Sequence, residues 1–202
     1  MNINHSDNRP ITEEEEDRLP VLLPVLADID DEGKTLFIGN AVAANDAELL
    51  LRNGITSTMN LAVNVEMPPL ALGDGTIVRR THIGLIDGPG NIAHHLLGAV
   101  LVLYGIVNQK SPGKAHYPPH RAGNVLVHCR GGRSRSAGTI ALYLHLARPE
   151  RFPAFEDALL HVRSCRGLDD TQPQPAMLDL CRQALAAWKP SAGDGKSTCA
   201  LR

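Results

Sequence analysis

The chain has 202 residues, of which 43% are hydrophobic and 3% aromatic, and its formal net charge at pH 7 is -2. This length suffices for one domain, whose core the low aromatic content predicts to be mainly aliphatic. The near-neutral charge argues against a general nucleic-acid binder.

Composition divides the chain into three predicted parts. Residues 1–33 are expected to form a partly flexible N-terminal extension, residues 34–188 a folded domain, and residues 189–202 a disordered tail. The polar N-terminal residues contain no apolar segment of the kind found in secretory signals. The extension carries an acidic run at residues 13–17, which has two interpretations: a dock for a basic partner, or a solvated helix start.

Strand-like and helix-like segments alternate through the domain. Strands are predicted at residues 36–41, 55–63 and 76–86, with a helix capped by Asn45 after the first strand. Further helices are predicted at residues 92–109 (capped by Asn91), 136–147, 153–166 and 175–188, and a surface loop at 110–122. The apolar run in the helix at 92–109 is too short to cross a membrane. The order predicts an α/β fold with a central mixed sheet flanked by helices.

The segment His128-Cys129-Arg130-Gly131-Gly132-Arg133-Ser134-Arg135-Ser136 follows an apolar strand-like run and precedes a predicted helix. Its glycines permit a loop whose backbone N–H groups point at an anion, and the helix N-terminus adds its dipole. Arg135 can hold two phosphate oxygens, and the same field favours a thiolate at Cys129. Ser134 or Ser136 can donate a hydrogen bond to the sulfur of Cys129 when that sulfur is the leaving group. Phosphate contacts are therefore predicted for Arg130, Gly131, Gly132, Arg133, Ser134 and Ser136.

These residues match the C-x5-R-[S/T] signature and its wider form H-C-x-x-G-x-S-R-S. Over roughly residues 35–186 the chain resembles the dual-specificity branch of the cysteine-based protein tyrosine phosphatases. The resemblance implies the fold of that family and hydrolysis of phosphomonoesters through a cysteinyl-phosphate intermediate. Cys129 is then the nucleophile and Arg135 the main phosphate ligand, with neither a cofactor nor a metal. His128 is expected to position the loop by hydrogen bonding.

The resemblance also implies a general acid on a loop upstream of the signature. Asp87, which opens a turn after the predicted strand at 76–86, is the candidate, and it would act as a base on water in the second step. The alternative is that Asp87 only starts the turn, where aspartate is common. Gln172 and Gln174 lie where the family often carries an amide side chain, but the local match is poor and no role is assigned to them.

Arg130 and Arg133 leave the substrate open. Cations at both positions are similar to those of phosphatases that act on lipid or sugar phosphates, where they hold a second anionic group. The alternative is that both side chains pair with surface carboxylates. A phosphorylated protein is the substrate that the family favours, and a phosphoinositide, phospholipid, or sugar or polyol phosphate is the alternative.

Two other classes compete with a phosphatase. Sulfurtransferases and arsenate reductases also use a cysteine in an anion-binding loop, and a non-catalytic module can bind phosphorylated ligands without turnover. The presence of Cys129, Arg135 and Asp87 together favours an enzyme. Its predicted partners are a phosphorylated protein or small molecule, without nucleic acid or a transmembrane segment. The need for a reduced Cys129 predicts a cytoplasmic location, and the four cysteines lack metal-site spacing.

Overall fold

The computed structural model describes residues 12–110, 113–188 and 201. Within these residues five strands form one mixed sheet in the order β1-β2-β5-β3-β4. The strands are β1 (Leu22–Leu26), β2 (Leu36–Gly39), β3 (Ile55–Ala62), β4 (Arg79–Leu85) and β5 (Asn124–His128). The helices are α1 (Glu13–Glu16), α2 (Ala41–Asn45), α3 (Ala47–Arg52), α4 (Ala93–Asn108), α5 (Arg135–Ala147), α6 (Phe155–Arg166) and α7 (Pro175–Ala187). The predicted α/β architecture is confirmed.

The centre of the sheet is β5, which pairs in parallel with β2 on one side and with β3 on the other. Alternate side chains of β5 enter different cores, because successive residues of a strand point to opposite faces. Val125 and Val127 face the larger core, and Leu126 faces a smaller one with Phe37 and Leu50. Burial on both faces explains why β5 reads as a continuous apolar run.

Helices α4 to α7 pack together on the face of the larger core, and α2 and α3 lie on the opposite face. Every residue of α5 except His145 is buried. The N-terminus of α5, where Arg135 lies, is therefore fixed by packing along the whole helix. Across the described part of the chain, no helix has the length and hydrophobicity needed to span a bilayer.

The predicted start of the domain at residue 34 is corrected by the structure. β1 lies upstream of that boundary and pairs antiparallel with β2, with Leu23 opposite Ile38. The first eleven residues of the predicted extension lie outside the described residues. So does the predicted tail at 189–202, apart from Leu201, whose backbone N–H donates to the carbonyl of Leu146 at 2.8 Å.

Two predicted helix caps are also corrected. Asn45 ends α2, and the adjacent Asp46 caps α3 by accepting from the N–H of Leu49 at 2.9 Å. The N-cap position of α4 is Ile92, without a side-chain hydrogen bond, while Asn91 bonds elsewhere. At the first site Asn45 and Asp46 are neighbours with short polar side chains, which makes cap assignment from sequence ambiguous.

The fold brings one set of loops to a single edge of the sheet. β2, β5, β3 and β4 run parallel, so their carboxyl ends lie together, and ligands of open α/β sheets bind at such an edge. Asn40 directly follows β2 and Cys129 directly follows β5, while Asn64 and Asp87 lie two residues beyond the ends of β3 and β4.

Candidate active site

Cys129 lies at the base of a loop between β5 and α5 and is 3% exposed. Its Sγ atom accepts a hydrogen bond from the N–H of Gly132 at 3.3 Å. The Oγ atom of Ser136, in the first turn of α5, lies 3.5 Å from the same sulfur. Ser136 is thus placed to donate to the sulfur, whereas the Oγ of Ser134 accepts from the N–H of Gln174 at 3.1 Å.

Three consecutive carbonyl groups of the loop point away from its centre. The carbonyl of Arg130 accepts from the N–H of Ala41 at 3.1 Å. Those of Gly131 and Gly132 accept from the guanidinium of Arg166 at 3.3 and 3.2 Å. In a trans peptide the N–H points opposite to the preceding carbonyl, so the next N–H groups point inward. This arrangement has the backbone geometry of the nest that the sequence predicts to bind an anion.

Gly132 is required by both conformation and space. Its φ angle is 73°, and a Cβ atom at this position would lie 2.5 Å from the carbonyl oxygen of Gly39 at the end of β2. Asn40, which follows Gly39, is buried and binds the backbone of Leu19 and Val21 through its side chain. The loop therefore packs directly against a fixed turn of the backbone.

Arg135 connects the nucleophile loop to the loop of the predicted general acid. Its side chain is 2% exposed, and Nη2 donates to Oδ2 of Asp87 at 3.0 Å. Nη1 donates to the carbonyl of Leu85 at 3.2 Å and lies 3.4 Å from Oδ1 of Asn64. The carboxylate of Asp87 is 48% exposed, so one face of this ion pair is open to solvent.

The loop at residues 86–91 is closed by the side chain of Asn91. Its Oδ1 atom accepts from the N–H of Ile86 at 2.9 Å, and its Nδ2 atom donates to the carbonyls of Ile86 and Gly88 at 2.9 and 3.3 Å. Asn91 therefore shapes the turn that carries Asp87, a role that sequence reasoning missed because it treated Asn91 as a helix cap.

The side chains of Arg130 and Arg133 bind carboxylates on and next to α1. Arg130 donates to Asp17 at 2.8 Å. Arg133 contacts Glu16 at 2.6 Å, Asp17 at 2.7 Å and Glu13 at 3.4 Å. The acidic run at 13–17 therefore docks onto basic residues of its own chain. In the structure Arg130 and Arg133 pair with carboxylates, which is one of the two alternatives that the sequence left open.

One pocket of about 200 Å³ brings most of the predicted residues together, whereas Gly132, Ser136 and His128 are not among its lining residues. It is lined by Cys129, Arg135 and Asp87, by Arg130, Gly131, Arg133 and Ser134 of the loop, and by Glu13, Gln172 and Gln174. Gln172 and Gln174, to which the sequence assigned no role, thus lie at the site. The signal in the sequence was their place just before α7.

His128 lies behind the loop and is fully buried. Its Nδ1 atom is 3.3 Å from the carbonyl oxygen of Cys129. Burial lowers the pKa of His128 to about 4, so its ring is neutral at neutral pH. These contacts fit the predicted positioning role.

Comparison with known proteins agrees with this geometry, although no family model matches the chain. The chain is 35% identical over 111 residues to dual specificity phosphatase 28 of Mus musculus, and the matched segment covers 54% of this chain and 57% of that protein. It is 32% identical over 152 residues to the dual specificity protein phosphatase MPK-4 of Drosophila melanogaster, which covers 74% of this chain and 34% of the relative. The chain thus spans less than two thirds of the length of these relatives.

Solved structures cover the domain more completely. A variant of human DUSP28 matches with a TM-score of 0.60 and 25% identity, over 84% of this chain and 97% of that one. The Yvh1 phosphatase domain from Chaetomium thermophilum matches with a TM-score of 0.59 and 25% identity, over 82% of this chain and 96% of that one. In sequence and in fold, the chain is therefore similar to the dual-specificity phosphatases of the cysteine-based protein tyrosine phosphatase superfamily.

Proposed function

We propose that the chain is a cysteine-dependent phosphatase that hydrolyses phosphorylated side chains of proteins. The observation that carries the proposal is that Cys129, Arg135 and Asp87 line one pocket above a nest of inward-pointing N–H groups. This set combines a nucleophile, an anion-binding loop and a proton donor, which are the parts needed for phosphoryl transfer to sulfur.

The reaction proceeds in two steps. The Cys129 thiolate attacks phosphorus, the P–O bond of the ester breaks, and Asp87 gives its proton to the leaving oxygen. Water then attacks the phosphocysteine, Asp87 takes a proton from it, and the P–S bond breaks to return the thiolate. Ser136, 3.5 Å from Sγ, donates a hydrogen bond to the sulfur as it leaves.

Substrate binding changes the partner of Asp87. The carboxylate of Asp87 accepts a hydrogen bond from Arg135 at 3.0 Å. A phosphate seated in the loop accepts from the guanidinium of Arg135 in its place. Phosphate binding thereby frees Asp87 to face the leaving oxygen of the ester.

A phosphoprotein is a better candidate than a polyanionic lipid or sugar phosphate, because Arg130 and Arg133 are already paired with Asp17, Glu16 and Glu13. We also propose a cytoplasmic location, since a reducing compartment keeps the Cys129 thiol available. Cys129, Cys165 and Cys181 are free thiols in the part of the chain that the structure describes, which supports this location.

The proposal is tested by measuring phosphate release from phosphotyrosine and phosphothreonine peptides, inositol phosphates and p-nitrophenyl phosphate. Cys129→Ser is expected to lower turnover by at least about 10³-fold, because the nucleophile is lost. Cys165→Ser, which changes a thiol outside the pocket, is the matched control and should keep wild-type turnover. Full activity of Cys129→Ser contradicts the mechanism, and faster turnover of inositol phosphates than of peptides contradicts the substrate class.

A further inference from the structure

The acidic segment, defined here as Glu13, Glu16 and Asp17, is held against the rim of the pocket. Glu13 itself lines the pocket with a side chain that is 65% exposed, and Oε1 of Glu13 lies 3.5 Å from Nε2 of Gln172. Asp17 is only 11% exposed, and its Oδ1 atom lies 2.7 Å from Nη2 of Arg133. The segment therefore forms one wall of the site.

Ion pairing neutralises the cations of this wall. Although burial raises the pKa of Glu16, hydrogen bonds from Arg166 and Arg133 outweigh it and lower the pKa below its ordinary value. The pKa of Asp17 is lowered in the same way, because burial is outweighed by hydrogen bonds from Arg130 and Arg133. Both carboxylates are therefore charged at neutral pH. The three acids of the segment balance Arg130, Arg133 and Arg166 in formal charge.

The position of the segment is fixed by local structure on both sides. Thr12 and Glu15 form a capping box at the start of α1. Downstream, Nδ2 of the buried Asn40 donates to the carbonyl of Leu19 at 2.7 Å, and Oδ1 accepts from the N–H of Val21 at 3.1 Å. These contacts lie just before β1, so the fold itself places the acidic segment next to the loop arginines.

The consequence concerns the charge of the substrate. Arg133 is 13% exposed and already contacts three carboxylates, so it is not free to bind a second anionic group. Within this balanced wall the carboxylate of Glu13 is the exposed one and lies beside the phosphate position, where it locally repels acidic neighbours of a phosphorylated residue and attracts basic ones.

We propose that the acidic segment is a specificity determinant that selects phosphorylated residues with neutral or basic neighbours and rejects polyanions. This inference rests on the proposed phosphatase function and names the charge class of its substrates. It also gives the acidic run a role within its own chain: these carboxylates neutralise the loop arginines that would otherwise favour a second anionic group.

The test compares two phosphotyrosine peptides that differ only in flanking residues, glutamate in one and lysine in the other. The wild-type protein is expected to show a higher kcat/KM for the lysine-flanked peptide. The double variant Glu13→Gln/Asp17→Asn keeps the Glu16–Arg166 pair. In this variant the ratio of kcat/KM for the lysine-flanked peptide to kcat/KM for the glutamate-flanked peptide should fall by about tenfold, which is the effect of one charge-assisted hydrogen bond in a partly buried site. The kcat/KM for inositol phosphates relative to p-nitrophenyl phosphate should rise by a similar factor.

The matched control is Glu14→Gln/Glu150→Gln, which removes the same charge from exposed positions and should keep the wild-type preference. An unchanged preference in the double variant overturns the inference. The inference is also overturned if the wild-type protein prefers the glutamate-flanked peptide or shows no preference. That result does not depend on the folding of any variant. Turnover of p-nitrophenyl phosphate through Cys129 tests the proposed function separately, because that substrate has no flanking charge.

Discussion

The Cys129 loop at residues 129–135 and the Asp87 loop at residues 86–91 face the same pocket, but the fold holds them by different means. Most of the Cys129 loop is buried, and its carbonyls are bonded to α2 and to Arg166 of α6. Most of the Asp87 loop is exposed, and the side chains of Asn91 and Arg135 hold it.

This contrast matches the tasks that we propose for the two loops. A nest that stabilises charge on a phosphoryl group works best when its dipoles are fixed before the substrate arrives. A proton donor that must exchange its partner Arg135 for a leaving group needs a segment with low local stability. Damage to the Cys129 loop should therefore cost folding stability, and damage to the Asp87 loop should cost catalysis alone.

The largest effect is expected for Gly132→Ala. The substitution places a Cβ atom 2.5 Å from the carbonyl oxygen of Gly39 and strains a φ angle of 73°, so the free energy of unfolding should fall by about 4 kcal/mol. Chemical denaturation measures this change. Gly75→Ala is the control, because Gly75 has a φ angle of 83° with no atom within 4 Å of the added Cβ, and it should cost only about 1 kcal/mol. Equal losses at both positions would contradict a packing role for Gly132.

The second effect concerns acid stability. Burial lowers the pKa of His128 from 6.5 to about 4, so the unfolded chain binds this proton more tightly than the folded chain. The free energy of unfolding is therefore unaffected by His128 above about pH 6.5. It decreases as the pH falls from 6.5 toward 4, by at most about 3 kcal/mol. Urea denaturation at pH 7 and at pH 4.5 measures the loss.

His128→Asn should flatten this pH dependence, whereas His95→Asn, at an exposed position of α4, should leave it unchanged. A pH profile that is identical in the wild-type protein and in His128→Asn would show that His128 is not the group that titrates.

The smallest effect is expected for Asn91→Ala. Loss of its bonds to Ile86 and Gly88 frees the Asp87 loop, so kcat for a phosphothreonine peptide should fall by about tenfold while stability changes little. The rate with p-nitrophenyl phosphate, whose leaving group needs little protonation, should fall much less. Asn108→Ala removes a similar side-chain bond from the end of α4 and serves as control. Equal losses on both substrates would argue against a link between Asn91 and proton donation.

The parts of the site that are predictable from sequence are those encoded locally. The segment from Cys129 to Ser136 carries its nucleophile, glycines and arginine within a few residues, and the strand–loop–helix pattern around it determines their approximate placement. Asp87 was proposed from the family resemblance, as the aspartate that opens a turn after a predicted strand, and the parallel strands of the sheet bring that strand end to the same edge.

Contacts between distant segments were not predictable. Asp17 and Arg130 are separated by 113 residues, and the pairing of β1 with β2 and of β2 with β5 brings them together. For the same reason the sequence did not indicate that Arg166 of α6 supports the loop carbonyls. The prediction of Asn45 as helix cap was wrong for a different reason, since the adjacent Asp46 can fill that position equally well and the backbone decides between them.

The most direct test of the central claim is to trap the phosphorylated enzyme. Asp87→Asn is expected to slow hydrolysis of the intermediate, so acid quench during turnover of p-nitrophenyl phosphate followed by peptide mass analysis should find one phosphoryl group on Cys129. Turnover that proceeds without any phosphoryl group on Cys129, or with the group on another residue, would contradict the account.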